Sequence, residues 1–205
     1  MVTDSSLSAR HRTADVRPRA AAPGIALAVG GAMVVASEVV MLGLETGSVS
    51  AAGITTKIVR LAAFLLVLLG LPGLYALRRH GAGRIWGAAY VTAYLGTALI
   101  AGDLWFEAFA YPFLIEAAPA LTELTPSGTF IAGALASFVL FLCGWAAIGI
   151  AGLRNRELPR APSALLILGA AVGFPSPLYE PRLVPWGLAV AWLGLHMARS
   201  DAVGT

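Results

Sequence analysis

Charge is what this chain has least of. Only 12% of its 205 residues are Asp, Glu, Lys or Arg, against about 25% in an ordinary soluble domain, while 58% are hydrophobic. Such a chain cannot clothe itself in water-facing side chains, which excludes a soluble globule, and its apolar content equally excludes a disordered one. A single cysteine, Cys143, rules out a disulfide framework and any cysteine-cluster metal site. Histidine is scarce too. His11, His80 and His196 show no ligand spacing and no HExxH pattern, so no metal is expected. Neither a phosphate-binding glycine loop nor a Gly-x-Ser-x-Gly elbow is present, and no cofactor is expected. No internal repeat or domain boundary stands out.

What the chain does have is long apolar runs. Backbone N–H and C=O groups find no water inside a bilayer, so each run is expected as a helix, and a crossing takes about 20 residues. The fold class expected is therefore all-α, a polytopic membrane bundle with six transmembrane helices. The spans fall near 25–44, 58–77, 85–106, 128–153, 162–175 and 183–198, within a transmembrane domain over 24–199. The third ends at Asp103 or continues through an aromatic-rich stretch toward Pro112. Pro126, Ser127 and Gly128 mark the start of the fourth. The fifth is short, so five crossings plus a re-entrant segment is the alternative. The last is expected to stop before Arg199 and Asp201. Pro72 should kink the second helix.

The basic residues sort by side. Counted over alternate loops, eleven of the 14 Lys and Arg fall on one face: four in the polar tail over 1–23, Arg78, Arg79 and Arg84, then Arg154, Arg156 and Arg160, and finally Arg199. Only Lys57, Arg60 and Arg182 fall on the other. By the positive-inside rule the tail and the end over 200–205 are both cytoplasmic, in a plasma membrane. Six acidic groups gather outside: Glu45, Asp103, Glu107, Glu116, Glu123 and Glu180. The net charge of +3 is thus a matter of orientation and headgroup attraction. Nucleic acid is not a partner this pattern calls for; the lipid bilayer is.

Glu38 is the one carboxylate well inside an apolar run. A charged group at the centre of a bilayer costs about 2.5–3.5 kcal/mol on insertion scales, so it protonates, pairs or faces water. Arg60 opens the second helix at a similar height, which leaves a plain ion pair and an ion-linked site as alternatives. Asp103 and Glu107 are four apart and share a helical face. With Arg60 and Tyr111 they complete the set of candidate ion or ligand residues, although the aromatics Trp105, Phe106, Phe109, Tyr111 and Phe113 equally describe an interfacial belt. Small residues four apart, Gly83 with Gly87 and Gly169 with Gly173, together with Gly144, Gly149 and Gly152, predict close helix packing. Cys143 reads as a small buried packing residue.

The stretch Phe138 to Gly173, with Trp145, Arg154, Leu158, Pro159 and Arg160, resembles the late helix, basic Leu-Pro-Arg loop and following helix of uncharacterised bacterial multi-pass proteins of the domain-of-unknown-function 4386 type. The resemblance implies a bacterial inner-membrane setting and carries no catalytic residue. Without a catalytic constellation, the leading expectation is a non-enzymatic accessory, regulatory or scaffold bundle, acting with a protein partner or as a homo-oligomer. A small proton-, cation- or amine-linked transporter and a lipid-acting membrane enzyme are the alternatives.

Overall fold

The computed structural model describes residues 21–43, 50–78, 83–120, 126–156, 158–173 and 182–203. The polar tail as far as residue 20, His80, Glu45, Glu123, Glu157, Glu180 and residues 204–205 lie outside them. The chain is an all-α, multi-pass membrane protein. Its helices are α1 (Ala21–Met41), α2 (Ala51–Arg78), α3 (Arg84–Trp105), a π-helical turn (Phe106–Ala110), α4 (Tyr111–Ala117), α5 (Gly128–Asn155), α6 (Arg160–Gly173) and α7 (Val184–Val203). Four are long and apolar enough to cross a membrane: α1, α2, α5 and the continuous 34-residue helix from Arg84 to Ala117. The 14-residue α6 is apolar but shorter.

Several helix ends differ from expectation for local reasons. α2 begins well ahead of Lys57, because the Ser50 hydroxyl accepts from Gly53 N–H at 3.1 Å and Thr55 and Thr56 bond back to the carbonyls of Ala51 and Ala52 at 2.8 Å. A polar first turn that satisfies itself needs no apolar run. Lys57 and Arg60 therefore sit inside the helix and not at its mouth. α5 starts where the sequence puts it, with Ser127 accepting from Phe130 N–H at 3.2 Å. α7 does not stop before Arg199; it runs on to Val203, since beyond an apolar segment charged residues pose no obstacle to a helix in water.

The aromatic continuation of α3 passes through Pro112. A proline removes an N–H and crowds the carbonyl four residues back, and here the helix widens just before it. Tyr111 N–H bonds to Phe106 O, five residues back, which defines the π turn. At about 1.5 Å per residue the whole helix spans about 50 Å, more than the roughly 30 Å hydrocarbon layer.

Among the described residues the six longer helices form a closed ring. Each packs on its chain neighbours, α1 on α2, α2 on α3, α3 on α5, α5 on α6 and α6 on α7, and α7 closes on α1 in the most extensive contact of all. Small residues let the backbones meet. Gly24 and Gly31 of α1 face the backbone of α7 near Gly194 and Gly187, so a methyl on any of the four would run into the opposite chain. This seven-residue spacing marks the most extensive seam. Gly96 of α3 and Gly144 of α5 play the same part against Phe141 and Ala93. Gly149 and Gly152 pack on α6 as expected, whereas Gly83 and Gly87 have open space around them. Cys143 is exposed, not buried; its side of α5 borders a shallow apolar groove against α6.

The centre of the ring is filled by rings of another kind. Phe64, Phe141, Trp145 and Trp186 are all buried, with Trp186 5.2 Å from Phe64, 4.9 Å from Phe141 and 5.3 Å from Trp145 between centroids. Trp145 Nε1–H donates to Thr97 Oγ1 at 3.0 Å, and Thr97 donates on to Ala93 O. The outside is lipid-like: Leu69, Ile85, Ile150 and Trp192 are all exposed.

Candidate functional site

α1 and α2 run antiparallel, which brings the late turns of α1 level with the early turns of α2. Glu38 and Arg60 meet there. Glu38 Oε1 lies 2.6 Å from Arg60 Nη2, and the two side chains are 1% and 9% exposed. The second oxygen has a different partner: Leu183 N–H, at the threshold of α7, donates to Glu38 Oε2 at 3.3 Å. A carboxylate at that position meets the positive end of the α7 dipole as well as a backbone donor. Arg60 is steadied in turn, its Nε–H reaching Ser37 Oγ at 3.4 Å while Ser37 donates to Val34 O at 2.8 Å. One acidic side chain thus ties together three helices, α1, α2 and α7. The aromatic plug begins one turn further in, since Phe64 follows Arg60 by four residues and Trp186 follows Leu183 by three.

A second polar group shares this end of the ring. Lys57 Nζ is 3.9 Å from Glu107 Oε2 and 5.8 Å from the centroid of Tyr111. Lys57 is mostly buried, Glu107 half exposed at 52%. The π turn carries Glu107 at its start and Tyr111 just after it, so one lysine meets both. Asp103, one turn ahead of Glu107 on the same helix and within reach of its charge, is exposed, with the Ser137 hydroxyl of α5 beside it. Trp105, Phe109 and Phe113 project outward from the same helix, the placement an interfacial belt needs.

The five candidates from the sequence accordingly fall into three places. Glu38 and Arg60 form one pair, Glu107 and Tyr111 gather on Lys57, and Asp103 stands one turn before Glu107 with Ser137 beside it. Two contributors escaped the sequence reading: Ser37 holds Arg60 and the Leu183 amide holds Glu38. Lys57, level with Arg60 on α2, is the hub of the outer group. Ser37 could have been found as the hydroxyl beside the only intramembrane carboxylate; a backbone amide leaves no trace in composition. Neither of the two best-formed cavities touches Glu38. One is the shallow groove beside Cys143, and the other lies at the far end of the ring.

Comparison with protein-family models, with curated proteins and with solved structures gave no match.

Proposed function

We propose that the chain is a six-span, non-enzymatic helical bundle that serves as an accessory, regulatory or scaffold subunit of a bacterial plasma membrane, with both termini cytoplasmic. α6 and α7 are its fifth and sixth crossings, α6 reaching across about 21 Å at 1.5 Å per residue with a locally thinner bilayer. Kinship with uncharacterised bacterial multi-pass proteins belongs to the same reading. The observation that carries it is the consumption of Glu38. An ion-carrying carboxylate needs a free oxygen and access to water, whereas this one is 1% exposed with one oxygen on Arg60 and the other on the Leu183 amide. The aromatic plug directly beneath it favours the same conclusion.

The transporter alternative makes the opposite prediction for flux. In liposomes loaded with a pH-sensitive dye, the reconstituted protein should pass protons no faster than protein-free vesicles. Flux above that background that disappears in Glu38→Gln would overturn the scaffold reading in favour of a transporter. Orientation has its own test. In a Cys143→Ala background, a cysteine placed at Thr3 should react with a membrane-impermeant thiol reagent only after the cytoplasmic face is opened. Labelling of intact cells would reverse the topology.

A further inference from the structure

At the end of the ring opposite the ion pairs, the start of α3 and the last two turns of α5 enclose a half-open groove of ≈ 860 Å³. Small-molecule sites are about 300–1,000 Å³. The charged lining of this groove has one sign. Arg84 opens α3, Arg154 lies in the last turn of α5 with Asn155 beside it, and no carboxylate is among the described residues that border the space. No side chain caps the start of α3, so the positive end of a 22-residue helix adds to the same field.

Trp86 decides what the groove is for. It is 2% exposed and lines the wall, and its indole Nε1–H is a buried donor without an acceptor among the described residues. Of the other two buried indoles, Trp145 of α5 donates to Thr97, while Trp186 of α7 shares the lack of an acceptor but borders neither groove. An indole can only donate, and buried donors are nearly always paired, so this wall asks for an acceptor. The remaining lining is apolar and merges with the lipid-facing surface, Ile85 being 71% and Ile150 54% exposed.

We infer that this groove binds an anionic glycerophospholipid, with its phosphodiester oxygens on Arg84, Arg154 and the Trp86 N–H and an acyl chain along Ile85 and Ile150. Arginine matches phosphate with paired donors in a way that a lysine point charge does not. The ligand must carry both a phosphate and a hydrocarbon tail, because the polar end of the groove is cationic and its mouth opens sideways to the bilayer. The charge count puts this end on the cytoplasmic side, where basic pockets between helices meet anionic headgroups. The inference rests on the membrane-spanning reading of the chain but is independent of a scaffold role.

Native mass spectrometry of the full chain, released from detergent in the presence of graded phosphatidylglycerol or phosphatidylcholine, tests it. Phosphatidylglycerol adducts should form at concentrations at least about tenfold lower than phosphatidylcholine adducts, and R84Q/R154Q should abolish that preference. W86F keeps the ring and removes the N–H, and should weaken phosphatidylglycerol binding roughly threefold. R160Q, at an exposed arginine that does not line the groove, should leave it unchanged. Equal binding of the two lipids overturns the site, as does an undiminished preference in R84Q/R154Q or an equal loss in R160Q. Displacement of the lipid by millimolar sn-glycerol 3-phosphate would make the ligand a soluble phosphate and reject the lipid. Should the double variant lose its helical circular dichroism, W86F alone decides, since unchanged binding there removes the donor on which the site depends.

Discussion

Arg60 and Lys57 lie three residues apart on α2, and each has a carboxylate partner, yet the two pairs are built on different physics. Arg60 meets Glu38 at 2.6 Å with both side chains out of reach of solvent, and Ser37 and the Leu183 amide take up further polar atoms. Lys57 meets Glu107 at 3.9 Å, and half of Glu107 remains exposed. In the first pair, removing either member takes from a buried charge its partner at 2.6 Å. In the second, solvent and headgroups stand ready to replace whichever member is lost. Each pair joins a base of α2 to a glutamate, but an arginine fork with three helices converging on Glu38 stands against a lysine point charge where two converge.

The comparison can be broken most forcefully at Arg60. Arg60→Ala takes from buried Glu38 its charge partner at 2.6 Å and should destabilise the protein by about 3–5 kcal/mol, read as a loss of helical signal at lower temperature or denaturant in detergent micelles. A drop below about 1 kcal/mol would mean that water already reaches the pair. Arg60→Lys probes the geometry more finely. A lysine keeps the charge but lacks the Nε–H that Ser37 accepts, and should cost about 1–2 kcal/mol, a net hydrogen bond to a charged group. At the other pair, Glu107→Gln should change stability by less than about 1 kcal/mol. Salt should separate the two as well: raising ionic strength weakens an exposed pair and spares a buried one, so the Glu107→Gln effect should shrink in high salt while that of Arg60→Ala persists.

Much of the architecture is legible in the order of residues. The apolar cores of the helices, the serine start of α5 and the singular position of Glu38 all follow from hydropathy and charge. Azimuth does not. A leucine turned toward lipid and a leucine turned toward another helix are in equally apolar surroundings, so Leu69, which is exposed, and Leu71, which is buried, read alike. Rotation is recorded instead in the small residues, and there the four-residue pattern holds in one case of two. Gly169 and Gly173 meet Trp186 and Leu142, Gly83 and Gly87 have nothing near them, and the most extensive seam uses glycines seven apart on α1 and α7. Cys143 was misplaced for the same reason, its height correct and its face wrong. At the candidate site, Glu38 and Arg60 could be named in advance, but their third partner is a backbone amide. The basic groove beside Trp86 depends on the start of α3 meeting the end of α5 in space, which sequence distance conceals.

The seam between α1 and α7 also orders events in time. The Glu38–Arg60 contact lies within the α1–α2 hairpin, between helices adjacent in the chain, and so needs no later helix. The glycine surface of α1 must wait. Gly24 and Gly31 fit no other backbone as closely as that of α7, so α1 travels through assembly with an unfilled flank until every intervening helix has been inserted. When α7 arrives it brings the Leu183 amide to the second oxygen of Glu38 in the same movement. The ring therefore closes like a clasp, at a site whose first half needs only the α1–α2 hairpin.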